Sequence, residues 1–113
     1  MSLTSLSNTT EVIILCDCCG NDESITEFVL SDYPNVSMID IGNNCFYFVT
    51  SFKLQNLPQL ESLTVGWKSF HHISTKGRFS IQGCSSLVHI DIGLESFYDY
   101  EEFQLSGRCI DLG

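Results

Sequence analysis

Apolar and polar residues alternate along this chain in short bursts, and the bursts recur as one phrase. Phe52-Lys53-Leu54 leads through Leu57-Pro58-Gln59-Leu60 to Leu63-Thr64-Val65-Gly66 and Ser69-Phe70. The copy before it runs from Phe28-Val29-Leu30 through Tyr33-Pro34-Asn35-Val36 to Ile39-Asp40-Ile41-Gly42 and Cys45-Phe46. The copy after it runs from Phe79-Ser80-Ile81 through Cys84-Ser85-Ser86-Leu87 to Ile90-Asp91-Ile92-Gly93 and Ser96-Phe97. Each copy holds two segments with period-two alternation, which predicts two strands whose named apolar residues point inward. Asp32 to Asn35, Asn56 to Gln59 and Gly83 to Ser86 lie between them and are turn-forming. The glycine after the second strand is expected to allow a sharp bend or a positive φ. Ser24 to Leu30 has some helical character, but Phe28 falls at the strand position of the other copies and the segment is read as strand.

The spacing is regular. Phe28 to Phe52 is 24 residues, Phe52 to Phe79 is 27 and Phe79 to Phe103 is 24. The three additional residues fall around Ser74-Thr75-Lys76-Gly77, which reads as a loop insertion. A fixed period of this size marks a solenoid, in which each repeat buries its apolar face only against its neighbours. The expected fold is therefore all-β or mostly β, with short stacked strands in two ladders and few or no helices. Residues 1–10 are Ser/Thr-rich and expected to be flexible. Residues 11–27 read as a degenerate capping repeat, and residues 28–113 as about three full repeats and a truncated fourth. A shift of 27 residues sets Val12 under Ile39, Ile14 under Ile41, Cys18 under Cys45 and Cys19 under Phe46. The sequence stops mid-repeat at Gly113, so further repeats, or pairing of an open edge with another chain, are expected there.

Residues 36–46, 60–70 and 87–97, with Leu-x-x-Leu-x-Ile-Gly variants followed by Ser/Cys-Phe, resemble the BspA-type branch of leucine-rich repeats. With the Phe-x-Leu pieces the resemblance covers about 28–113. The chain departs from that family in carrying Gly42, Gly66 and Gly93 where proline is usual, and in lacking the small residue and cysteine that usually come after the anchor phenylalanine. The resemblance implies a leucine-rich-repeat-like, non-catalytic scaffold for protein–protein recognition, part of a longer repeat array. The alternative is a structural spacer or self-assembling segment that pairs through its C-terminal edge. The partner is then another protein or the chain itself.

Charge narrows the partners further. A net charge of −9 over 113 residues argues against nucleic acid and anionic membrane surfaces. No apolar run is long enough for a transmembrane helix, so no membrane insertion is expected. The N-terminus lacks the basic start and apolar core of a secretory signal. The scattered cysteines point to a reducing compartment, the cytoplasm ahead of the cell surface.

Six cysteines and three histidines raise metal and catalytic readings. Cys16-Asp17-Cys18-Cys19 has no second cluster, and zinc there requires Cys45, His71, His72 or His89 as partners. Packing explains the cysteines more simply: Cys18, Cys45, Ser69 and Ser96 fall in one small-residue column, and Cys84 takes the core position of Leu57. Rungs about 4.8 Å apart also permit a Cys18–Cys45 disulfide. Ser62, His89 and Asp91 come together on adjacent repeats, yet a triad also needs an oriented nucleophile and an oxyanion site. An ordinary polar sheet surface is the better reading. No enzyme activity, metal or cofactor is therefore expected. The expected binding surface is the outward columns Met38, Ser62, His89 and Asp40, Thr64, Asp91, with Trp67 just beyond its glycine. Trp67 is the only tryptophan, and the repeat places Asn43 and Leu94 at the same position. On the Phe-x-Leu ladder the outward column Val29, Lys53, Ser80, Gln104 shows no common residue type.

Overall fold

The computed structural model describes residues 9–70, 77–97 and 100–106. Strand is the regular secondary structure among them: β1 (Val12–Leu15), β2 (Glu27–Ser31), β3 (Met38–Ile41), β4 (Ser51–Gln55), β5 (Ser62–Val65), β6 (Gly77–Gln82), β7 (His89–Ile92) and β8 (Tyr100–Ser106). Odd-numbered strands form one four-stranded sheet in the order β1-β3-β5-β7, and even-numbered strands form another in the order β2-β4-β6-β8. Every pairing is parallel, so the chain is mostly β with two parallel sheets. One strand from each sheet, with the turns that follow, makes a repeat.

Alternation builds the core between the sheets. Phe28, Leu30, Ile39, Ile41, Phe52, Leu54, Leu63 and Ile81 point inward and are sealed from solvent. In-register pairing stacks like on like, Phe28 on Phe52 on Phe79 and Ile39 on Leu63 on Ile90. The rings of Phe28, Phe52 and Phe79 lie nearly parallel, with centroids 5.1 and 5.0 Å apart. A second ladder, Phe46, Phe70 and Phe97, stacks at 5.3 and 4.6 Å. The ladders meet edge to face, at 5.2 Å for Phe52 with Phe70 and 4.9 Å for Phe79 with Phe97. Such pairs contribute about 0.5–1.5 kcal/mol each beyond the area they bury. Tyr100 closes the stack with its ring edge 4.9 Å from Phe97 and its hydroxyl donating to the Val49 carbonyl at 2.6 Å.

The register of β1 differs from the sequence expectation by one residue. Val12 pairs with Met38, Ile13 with Ile39, Ile14 with Asp40 and Leu15 with Ile41. Ile13 and Leu15 are buried, while Val12 and Ile14 are 47% and 65% exposed. Four consecutive apolar residues carry no parity signal, so alternation in the sequence cannot choose the inward pair.

The glycines also serve a different purpose. The backbone is left-handed at Cys18, Asn44, Lys68 and Glu95, and again at Gly20, Phe46, Phe70 and Phe97, whereas Gly42, Gly66 and Gly93 have no positive φ. Glycine is required there for space. A Cβ on Gly66 would lie 2.7 Å from both the carbonyl carbon and oxygen of Gly42, and one on Gly93 would lie 2.7 Å from the carbonyl carbon of Gly66. Of the expected insertion, Gly77 belongs to β6, and residues 74–76 lie outside the described residues. At β7 the alternation weakens: Ile90 is half-buried and Ile92 is 37% exposed, since β7 ends its sheet among the described residues.

Candidate functional site

The outward residues of the odd-numbered sheet form two continuous columns. Val12, Met38, Ser62 and His89 stand side by side, and Ile14, Asp40, Thr64 and Asp91 stand beside them. Met38, Asp40, Ser62 and Thr64 are half-buried, while His89 and Asp91 are exposed. The face is therefore graded, from Val12 and Ile14 on β1 to His89 and Asp91 on β7. One end of the face is apolar and the other carries imidazole and carboxylate.

The rim beyond this sheet is built by side chains that bond the next repeat. Asp17 Oδ1 accepts the Asn43 N–H at 2.9 Å, and Asn43 Oδ1 accepts the Trp67 N–H at 2.9 Å. Tryptophan has no acceptor at that place, so this ladder ends with it. Trp67 is 48% exposed and Leu94, the next residue in the column, is 84% exposed. Lys68 Nζ lies 5.6 Å from the Trp67 ring centroid and 3.9 Å from a Glu95 carboxylate oxygen on the next repeat. At such exposure the ion pair stabilises by at most about 1 kcal/mol. Its effect is to hold a cation beside the indole.

A second ladder runs underneath. Ser69, fully buried, donates to the Gly42 carbonyl at 2.8 Å and accepts the Cys45 N–H at 3.0 Å. Ser96 donates to the Gly66 carbonyl at 2.6 Å and accepts the Ser69 N–H at 3.0 Å. The Cys45 thiol points at the Cys16 carbonyl, 3.2 Å away. The residue of the first repeat in this column is Cys19, whose carbonyl accepts the Phe46 N–H as those of Cys45 and Ser69 accept the Phe70 and Phe97 N–H groups. Cys18, assigned to the column from the sequence, stands one position earlier with φ 62° and is exposed, which removes the basis for a Cys18–Cys45 bridge. The Cys19 thiol instead lies 2.9 Å from that of Cys16. Cys84 is buried.

Ser62 and His89 are register neighbours, as are Thr64 and Asp91, but no hydrogen bond joins Ser62, His89 and Asp91 to one another. Among the described residues no three His, Cys, Asp or Glu side chains come together to hold a metal ion. His71 and His72 lie outside the described residues. No helix among the described residues is long and apolar enough to cross a membrane.

The even-numbered sheet carries a feature that sequence reasoning missed. Its outer face holds a hollow of about 240 Å³, lined by Ser51, Lys53, Arg78, Ser80, Gln82 and Gln104. Small Ser80 stands in register between Lys53 and Gln104, and its buried hydroxyl has no hydrogen-bond partner among the described residues. A gap where a short side chain interrupts a column of long ones is the available signal. Comparison of the chain with protein-family models, with curated proteins and with solved structures found no match.

Proposed function

We propose that the chain is a leucine-rich-repeat-like solenoid, similar to the BspA-type branch, whose β1-β3-β5-β7 face recognises another protein without catalysis. What supports the solenoid reading is the strict alternation of strands between two all-parallel sheets, which advances the chain one strand per sheet in each repeat. The observation that carries the functional reading is Trp67, nearly half exposed at the rim of the graded face and flanked by Leu94 and Lys68. Its ring is dispensable to the repeat, since Asn43 and Leu94 fill the same position. A large aromatic held by its backbone and left facing solvent is the kind of residue on which interface energy concentrates. Asp40 and Asp91, either side of Thr64, supply the charge that selects a basic group on the partner.

The test is capture with the native chain beside a folded Asp40→Ala, Trp67→Ala, Asp91→Ala chain. A protein retained by the first and lost by the second is the expected result. Equal retention by both sinks the assignment of the face. The second reading, self-assembly, is favoured by exposed Ile92 and Leu94 at β7, which has no further partner strand among the described residues. It predicts a sedimentation coefficient that rises with concentration in the native and triple-alanine chains alike.

A further inference from the structure

The turn after β1 follows the path of the turns after β3, β5 and β7 with one telling exchange. Hydrogen bonds between repeats align the Cys16 carbonyl with those of Gly42 and Gly66, and Cys19 with Cys45 and Ser69. At Gly42, Gly66 and Gly93 any side chain meets the backbone of the preceding repeat. Among the described residues no repeat precedes β1, and Cys16 carries an exposed side chain in that column. The turn keeps its first and fourth positions close; in the last one, the Ser96 N–H reaches the Gly93 carbonyl at 3.3 Å. Where both positions are cysteines, the two sulfurs stand 2.9 Å apart. Glycine in the interior turns forbids this pair, so among the described residues it is confined to the first repeat.

We infer that Cys16 and Cys19 are a redox-modification site that closes reversibly into an intramolecular disulfide on meeting a hydroperoxide. The Cys16 thiolate attacks the peroxide; the O–O bond breaks, an alcohol (or water) leaves with the thiol proton, and Cys16 becomes a sulfenic acid. Cys19 sulfur then attacks Cys16 sulfur, the S–O bond breaks, and water departs with the Cys19 proton. Two thiols and one hydroperoxide give one disulfide, one alcohol and one water, with two electrons passing from sulfur to peroxide. An external thiol reverses the bond by exchange. The division of roles follows from the surroundings. Cys16 is exposed, whereas Cys19 is half-buried, and the hydrogen bond to Cys16, burial and the neighbouring thiols Cys16 and Cys45 hold its thiol up to about 11. Cys19 is thus the resolving partner. Cys18 is exposed and its sulfur is bonded to neither.

The reduced full chain is treated with hydrogen peroxide, blocked with iodoacetamide and cleaved on the amino side of aspartate. This leaves Cys16 at the end of one peptide and Cys19 within Asp17 to Asn21. The expected result is that these peptides are joined by a bond that dithiothreitol breaks, in the native chain and in Cys18→Ser, but not in Cys16→Ser. The reduced chain also binds phenylarsine oxide, which bridges paired thiols; Cys18→Ser keeps this binding, and Cys16→Ser and Cys19→Ser lose it. Serine already occupies the Cys19 column at Ser69 and Ser96, and circular dichroism checks that each variant is folded. A bridge that uses Cys18, Cys45 or Cys109, arsenical binding that survives Cys16→Ser, or thiols that all remain alkylatable after peroxide overturns the inference.

Discussion

The turn after β1 and the turn after β3 share a backbone path and almost no residues. Cys16, Asp17, Cys18, Cys19 and Gly20 of the first stand against Gly42, Asn43, Asn44, Cys45 and Phe46 of the second. Cys18 and Asn44 are both left-handed, at φ 62° and 58°, and so are Gly20 and Phe46, at 71° and 56°. The path is therefore set by the bonds between repeats, and the side chains by what lies beneath. An interior turn rests on backbone and must begin with glycine; the first turn rests on none among the described residues and begins with cysteine. Phenylalanine at positive φ costs about 1–2 kcal/mol, which the buried ring stack offsets. Gly20 accepts that φ freely, and the space a side chain there would fill is taken by the Phe46 ring.

The largest expected effect comes from breaking the interior turn at its anchor. Phe70 is fully buried and stacks with both Phe46 and Phe97. Phe70→Ala removes the ring, keeps the left-handed strain, and is expected to cost about 3–5 kcal/mol in urea unfolding. A loss below about 1 kcal/mol would show that the ladder is not what offsets the strain. Next comes Gly66→Ala. Its Cβ meets the Gly42 carbonyl group, which cannot move without parting two repeats, so a cost of about 3 kcal/mol is expected from the same titration. An unchanged unfolding midpoint would mean that the repeats separate easily.

The inward columns were legible because a period near 24 residues puts like beside like, and strands pair residue for residue. Phe52 falling on Phe79 is the same statement in sequence and in space. The β1 register is not legible because Val12 to Leu15 are all apolar; in the structure Ile13 and Leu15 turn inward and Gly42 packs on the Cys16 carbonyl carbon. Placing Cys18 rather than Cys19 in the small-residue column follows from that one-residue slip; the Cys-x-x-Cys spacing of Cys16 and Cys19 is visible in the sequence, but the approach of their sulfurs is not. The glycines are legible in the sequence but their purpose is not, since close approach and positive φ call for the same residue. Left-handed Phe46, Phe70 and Phe97 carry no such mark. On the candidate face, the neighbours of Asp40 and Thr64 were readable from the repeat, whereas the exposure of Trp67 depends on where its turn lies. The hollow at Ser80 escaped because its column repeats no residue type.

A moderate effect should appear with alkali. Burial pushes the Cys45 thiol and the Tyr100 phenol above their ordinary values. The folded chain holds these protons longer than the unfolded one, so their contribution is complete below the unfolded values, about 8.5 and about 10, and is lost as pH rises beyond them. Urea midpoints should stay level near neutrality and fall from about pH 8.5 upward. In Tyr100→Phe the decline above about pH 10 should be shallower by one proton's share. A midpoint that rises with alkali contradicts the burial of both groups.

The smallest expected change in stability is the one that separates the two turns most sharply. Cys16→Gly gives the first turn the residue the interior turns require. Cys16 is exposed and supports nothing with its side chain except the contact with Cys19, so the unfolding midpoint should move by no more than about 0.5 kcal/mol. The chemistry of Cys19 should move clearly. Its thiol is raised first by the hydrogen bond to Cys16, with the Cys16 charge adding to it. With both gone, only burial and Cys45 still raise it, so its pKa falls from about 11 towards the ordinary thiol value. Iodoacetamide, which attacks the thiolate, should then label Cys19 faster at a fixed mildly alkaline pH, and the rate profile should shift to lower pH. An unshifted profile would mean that the contact with Cys16 does not govern Cys19, and that the first turn differs from the interior ones in sequence without differing in chemistry.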